Sequence, residues 1–460
     1  MYWKLSQAYS LRSWQDKPYA LLRRPEGKII EITEEDFGLL QCCNGMVPMP
    51  GSPKLGSYEK KDWIERCETP SPLPENQRLV RYDVNQFDSV NIAITGFCNY
   101  NCRHCFMAKD AVATRSEFSL KQLEKMLDDC VAAGITRVSI TGGEPFVRKD
   151  LDLVFRAIAK RGLVLENITA NGSLIHDELL ALMHELGLDP LMRISYDGVG
   201  HHDWMRGVPG AEEVALDAIR RIKKAGFRVL AQMCVHTGNL SSMRATAELM
   251  AEMGVDQLRI MRTGEAPRWI ERMEGHALSF EAYYDAALDF LQWYVGSGLM
   301  MNLIIWSFVR YEPATGFFHC LPVRCPTGEC VPESPLCSDT RHELFIGYDG
   351  EISPCSQLSG KFGVSGISLG NVLKDDLATL LRQGLYLEYV NKPVCALTGA
   401  NEECRACEYV RYCLGGCRGM AFAMTDDFLG ADRMSCVFFK KGYWKRLYRV
   451  MKQEEIPVKA

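Results

Sequence analysis

From residue 90 to about 298, short apolar and β-branched runs alternate with segments whose apolar positions recur every three to four residues, and six such pairs follow one another. The runs VNIAITGF (90–97), RVSIT (137–141), VLENITAN (164–171), MRISYD (192–197), VLAQMCVH (229–236) and QLRIM (257–261) predict strands. Helices are predicted over SLKQLEKMLDDCVAAG, entered through Ser119 as N-cap, and over RKDLDLVFRAIAKRG, HDELLALMHELG, EEVALDAIRRIKKAG, SMRATAELMAEMG and SFEAYYDAALDFLQWYVGSG, several of which end in glycine. Repeated βα units require right-handed crossovers and a parallel sheet. The expected fold class is therefore α/β, a six-stranded partial (β/α)6 barrel of TIM type with ligands at the C-terminal strand ends.

The flanks read differently. YALLRR (19–24), a PEG turn, KIIEIT (28–33) and EEDFGLLQCCNG predict a hairpin followed by a helix, and YEKKDWIERCE (58–68) predicts another helix. After about residue 315 cysteine, glycine and proline replace long apolar runs, until FFKKGYWKRLYRVMKQ (438–453) predicts a closing amphipathic, basic helix. The expected domains are 1–85, 86–315 and 316–460.

At 460 residues the chain exceeds what one core usually supports, and its 47% hydrophobic and 24% charged fractions are those of a globular protein. No apolar run approaches the roughly 18 residues of a membrane span, so no membrane association is expected. A net charge of −5 with interspersed signs argues against a nucleic-acid partner. The start, MYWKLSQAYSLRSWQDKP, lacks a basic segment followed by an apolar one, which points to the cytoplasm. In a reducing compartment the 19 cysteines are expected to be cluster or metal thiolates rather than disulfides.

Cys98, Cys102 and Cys105 form a C-x3-C-x2-C run at the end of the first predicted strand. Three cysteines ligate three corners of a four-iron cube and leave one iron open to a small molecule. The alternative, a zinc knuckle with a distant fourth ligand, leaves the barrel unexplained. Gly142-Gly143-Glu144-Pro145, Asn171-Gly172 and Asp197-Gly198 also follow strands, so four special loops converge on one face.

The C-x3-C-x2-C run, with His104 just before its third cysteine and six βα units around it, resembles the cluster motif of the radical S-adenosylmethionine (SAM) superfamily. The resemblance implies that SAM chelates the open iron through its methionine amino and carboxylate groups. Reductive cleavage then yields a 5′-deoxyadenosyl radical that abstracts hydrogen. It further implies a cofactor-binding set of His104, the GGEP loop Gly142, Gly143, Glu144 and Pro145, Asn171, Ser195, Arg206 and Met261. In that set Glu144 receives the SAM ammonium, glycines permit close approach, Ser195 and Arg206 contact ribose and carboxylate, and Met261 lies near the adenine.

Cys337, twelve residues, Gly350, four residues and Cys355, then Cys404, Cys407, Cys413, Cys417 and Cys436, resemble the signature of the SPASM domain. Two auxiliary clusters are implied, making three 4Fe–4S clusters in all. The outer one takes Cys404, Cys407, Cys413 and Cys436. The inner one takes Cys337, Cys355 and Cys417, with an open iron or a fourth ligand from Cys320, Cys325 or Cys330. Cys330 is preferred for its short spacing to Cys337. Cys42, Cys43, Cys67, Cys130, Cys234 and Cys395 are left over, Cys234 on a barrel strand.

The N-terminal hairpin and helices resemble the small winged-helix domain with which many peptide-modifying enzymes add a leader peptide as an extra strand. The resemblances together imply an oxidoreductase-type maturase that cross-links a ribosomally made precursor peptide, as in the thioether-forming sactipeptide and ranthipeptide enzymes. Its partners would be that peptide with its leader and a reductant such as flavodoxin or ferredoxin. Carbon–carbon cross-linking and epimerisation are the nearest alternatives. A sulfatase-maturing enzyme is disfavoured because Ser356 and Gln357 follow Cys355 where that group carries Asp. A non-enzymatic iron–sulfur electron carrier would need neither the GGEP loop nor an open iron.

Overall fold

Strands Ser89–Ala93, Arg137–Thr141, Val164–Ala170, Leu191–Ser195, Val229–Val235 and Gln257–Arg262 lie side by side, parallel and in chain order. The computed structural model describes every residue except 52, 107–115, 265, 331, 338–342 and 453–460. The first strand stops four residues short of Phe97 because the chain bends from Thr95 into the cysteine loop. The six predicted helices appear as Leu120–Ala132, Leu151–Lys160, Asp177–Glu185, Ala211–Lys224, Met243–Glu252 and Phe280–Gly296. Ser119 opens the first through a reciprocal capping box with Gln122.

Side-chain alternation gives the barrel two faces. On the fifth strand Val229, Ala231, Met233 and Val235 are buried beneath the helices, whereas Gln232 and Cys234 turn to the partly accessible lumen. The sheet runs past the six predicted strands. Asn302–Ile305 adds in parallel to the sixth, followed by antiparallel Val309–Glu312 and Phe317–Cys320, and Glu343–Ile346 adds in parallel to the first, followed by Ile352–Ser353. These strands are two to four residues long and do not continue the βα rhythm, so periodicity alone does not show them.

At the N-terminus, Tyr2–Leu5 pairs antiparallel with both Asn44–Pro48 and Ile64–Cys67. A second small sheet holds Tyr9–Ser13, Ala20–Arg23, Lys28–Glu31 and Val80–Arg81. The helix predicted over 58–68 is thus corrected. A helix Pro53–Lys60 is followed by a turn at Asp62, whose φ is 57°, and Ile64–Cys67 becomes a strand because pairing with Tyr2–Leu5 buries Ile64 among Trp3, Leu5 and Phe37. The Trp14 indole donates to Ala133 O at 3.1 Å and stacks on Tyr82, joining this region to the first barrel helix.

The single closing helix expected over 438–453 is two helices, Arg433–Lys440 and Tyr443–Val450; residue 453 lies outside the described residues. Gly442 turns the chain at φ 74°, which lets Phe438 and Tyr443 both pack on Tyr284, with ring centroids 5.5 and 5.0 Å away. Among the described residues no helix is long and apolar enough to cross a membrane.

Candidate active site at the strand ends

The cysteine loop, residues 95–105, leaves the first strand with Cys102 buried and Cys98 and Cys105 partly so. Burial pushes the Cys98 thiol up to about 11 and raises Cys102 as well, although Arg206 pulls the latter back. Neutral thiols are therefore favoured until a positive centre arrives, as expected of ligands that a cluster converts to thiolates. Donors already face the sulfurs: Tyr100 N lies 3.4 Å from Cys98 Sγ and Arg206 Nη1 3.6 Å from Cys102 Sγ. These features fit an iron–sulfur group. Arg103 straps the loop to the short helix His202–Arg206. Its N donates to Met205 O at 2.9 Å, its Nε to Trp204 O at 3.0 Å, and its guanidinium lies 4.4 Å above the Trp204 ring.

The GGEP loop docks directly on the cysteine loop. Gly143 N donates to Thr95 O and Glu144 N to Phe97 O, both at 2.8 Å. A Cβ at Gly142 would sit 2.4 Å from Thr95 O, and one at Gly143 2.1 Å from Phe97 O. The close approach that these glycines permit is thus to the cysteine-loop backbone. Glu144 is fully buried; its Oε1 accepts from Phe146 N at 3.1 Å and its Oε2 from Asn171 N at 2.6 Å. Burial pushes its carboxyl up to about 7, against the opposing pull of those N–H groups and Arg206. Pro145 opens a short 3-10 turn, Pro145–Val147, and Asn171 Nδ2 donates to Asn99 Oδ1 at 3.0 Å, which closes a circuit of three loops.

Gly143→Ala therefore drives its methyl into a backbone carbonyl that cannot move without carrying the cysteines. It is expected to cost at least about 1–3 kcal/mol and to lower iron uptake at this site. Iron quantitation and a thermal melt read both; wild-type values in each would contradict this account of the glycine pair.

Behind Cys102 lies a network whose members spacing does not reveal. Asp197 is fully buried, with Arg206 Nε 2.8 Å from its Oδ2 and Cys234 N donating to its Oδ1 at 3.0 Å. His202 Nδ1 lies 3.4 Å from the same Oδ2 and accepts from Asp197 N at 2.9 Å. Burial alone would raise the Asp197 carboxyl, but Arg206 and His202 outweigh it and hold the group well below the usual carboxylate range. A ligand atom each from His104, Asp197 and Cys234 lie within 4.8 Å of one another, and His104 Nδ1 is buried without a hydrogen-bond partner. Burial lowers the His104 imidazole to about 4. Ser195 ends the fourth strand, and Met261 on the sixth is in register with Cys234 on the fifth. The structure thus gathers His104, Cys102, Arg206, Asp197 and Cys234 at one place. An Asp at a strand end followed within ten residues by His and Arg was the available signal.

Far along the chain, Cys404, Cys407, Cys413 and Cys436 line one pocket rimmed by Glu403, Asp432 and Lys440. Cys355 interacts with both Cys417 and Cys337, and burial raises its thiol. Cys417 N donates to Asp432 Oδ2 at 2.8 Å, and its sulfur lies 3.6 Å from Gln357 Oε1. Cys320 is buried on its strand near Tyr284 and Tyr448. Cys325 and Cys330 remain partly buried, Cys325 anchored through its N to Tyr412 O at 3.0 Å. Cys43 and Cys130 are buried in hydrophobic cores, and Cys42 and Cys395 are exposed.

Two family models match the chain: the radical SAM superfamily over residues 92–250 and the SPASM iron–sulfur cluster-binding domain over residues 337–408. An AdoMet-dependent heme synthase of Methanosarcina barkeri is 24% identical over 352 residues, spanning 75% of this chain and 95% of that protein. Streptococcus suis SuiB bound to precursor peptide SuiA shares the fold at a TM-score of 0.66 and 14% identity, over 94% of this chain and 99% of that one. anSMEcpe with bound AdoMet shares it at 0.58 and 17% identity, over 79% and 99%.

Proposed function

Given a radical SAM enzyme with a C-terminal SPASM domain, which this chain is, we propose that it cross-links a ribosomally made precursor peptide. The observation that carries this is the extent of the fold shared with peptide-bound SuiB, 94% of the chain, against the 75% aligned with the heme synthase. The latter favours a second reading, a tetrapyrrole substrate. Gln357 beside the Cys417 sulfur, rather than a carboxylate, speaks against formylglycine formation.

In this proposal residues 1–85 receive the leader along a strand edge, 86–315 hold the reaction chamber and 316–460 carry two auxiliary clusters, giving three 4Fe–4S clusters in all. Cys98, Cys102 and Cys105 hold the first, and Cys330 completes the inner auxiliary set. Held by these three cysteines, the first cluster with SAM would supply hydrogen-abstracting 5′-deoxyadenosyl radical chemistry. Arg206 offsets the negative charge of the Cys102 thiolate, Asp197 fixes Arg206, and Glu144 and Asn171 hold the loop backbones. His104, Ser195 and Met261 line the SAM side. A Cys sulfur-to-carbon thioether is the preferred product, then a carbon–carbon bond, then epimerisation. The setting is the cytoplasm, with a flavodoxin or ferredoxin as reductant.

The test is mass spectrometry of anaerobically reconstituted enzyme with SAM, a low-potential reductant and a short Cys-containing peptide encoded beside its gene. Loss of two hydrogens per cross-link with one deoxyadenosine per event is the expected result. Conversion of a porphyrin propionate, with the peptide untouched, would move the assignment to the tetrapyrrole substrate.

A further inference from the structure

Below the strand ends the barrel lumen holds more positive charge than its neighbours cancel. Arg193 on the fourth strand and Arg259 on the sixth share the faces of Ser195 and Met261, two residues nearer the strand starts. At about 3.3 Å per residue they lie about 6–7 Å beneath the cofactor-side residues. The Arg193 side chain makes no hydrogen bond or ion pair among the described residues, and its Nε is buried without a partner. Glu343 and Glu166 act on it only at longer range, and Glu166 is already engaged by Arg137 at 2.7 Å. Arg259 has a stretched 3.5 Å contact to Gln232 Oε1, a buried Nε without a partner and repulsion from Arg193 and Arg310, against which the Glu343 carboxylate, shared with Arg193 and in ion-pair contact with neither, is the one attraction. Its guanidinium lies 5.9 Å from the Trp306 ring, whose Nε1 is also buried and unpartnered.

A guanidinium carries five N–H donors in a planar fork, and here each Nε–H is buried and unmatched, which is costly, while the Nη groups are left to face the lumen. Two such groups facing one space repel each other unless an anion lies between them. The group that suits the fork, and that a peptide supplies, is a carboxylate. We propose that the lower lumen is a carboxylate-binding subsite, in which Arg193 and Arg259 grip an acidic side chain or chain end of the substrate and hold its adjoining carbons beneath the strand-end site. This rests on the peptide-modifying function above and narrows its substrate to one with an acidic residue at or next to the modified position.

The probe is N-acetyl-L-glutamate, titrated calorimetrically into the reconstituted full chain, with neutral N-acetyl-L-glutamine amide, which has no carboxylate, as the comparison. Saturable binding that favours the glutamate derivative is expected, weakened at least about tenfold by Arg193→Met and by Arg259→Met. Arg193→Lys keeps the charge without the fork and should fall between. Thermal melts establish that each variant is folded, and the Lys variant serves should a Met variant unfold. Equal binding of both probes, no binding, or wild-type affinity in the variants would overturn the subsite, as would displacement by equimolar sulfate, the mark of an adventitious ion only. Binding needs no turnover, so its failure leaves the deoxyadenosine and cross-linking assays to judge the peptide function separately.

Discussion

Replacing Cys98, Cys102 and Cys105 together by alanine is expected to abolish deoxyadenosine formation while sparing the rest of the bound iron. The three sulfurs sit on one loop that Arg103, Gly143 and Glu144 pin to neighbouring elements through backbone hydrogen bonds. The cysteines of the C-terminal region are grouped elsewhere, Cys404, Cys407, Cys413 and Cys436 around one pocket and Cys337, Cys355 and Cys417 near one another. Loss at the first site should therefore be local. If the chain carries the three four-iron clusters proposed above, roughly a third of the iron should disappear. Chromatography of the nucleoside product and iron quantitation on the same preparation read both halves. Persistent SAM cleavage in the triple variant would remove these cysteines from the chemistry.

Asp197→Asn should be the most damaging single change away from the cysteines. It leaves the Arg206 guanidinium, beside Cys102 Sγ, as a buried cation without its carboxylate partner 2.8 Å away. Breaking a buried pair from one side costs about 3–5 kcal/mol, whereas removing both charges costs less. Asp197→Asn/Arg206→Met should accordingly recover part of the loss. Because the native Asp197 carboxyl is held below its unfolded value, its contribution is present above about pH 4 and fades as pH falls toward the depressed native value. The wild-type melting midpoint should therefore drop more steeply than that of the double variant between about pH 5 and 3. Parallel pH profiles would show that the pair does not carry this stability.

Local pattern made much of this protein legible. The six parallel strands and their helices follow from alternation with period two and recurrence near 3.6, signals contained within a dozen residues. Ser119 and Gln122 form the cap their spacing suggests. The cysteine runs are equally local, and fixed offsets on a turn bring Cys404, Cys407 and Cys413 together before any distant contact is made. What needed the tertiary structure are the meetings of distant segments. Ile64–Cys67 is a strand only because Tyr2–Leu5, some sixty residues away, offers an edge. The glycines of the GGEP loop are required by the carbonyls of Thr95 and Phe97, and the charge of Asp197 by Arg206. Alternation indicates that Arg193 and Arg259 share a face with Ser195 and Met261, but only barrel curvature sets two guanidiniums against one space with a single carboxylate, Glu343, acting on both and in ion-pair contact with neither. The sequence by itself determined the repeating units and the grouping of the cysteine runs, because their physics is short-range. The tertiary structure decided which backbones touch and which buried charges are left to a ligand, because desolvation and Coulomb energies depend on partners far apart in the chain.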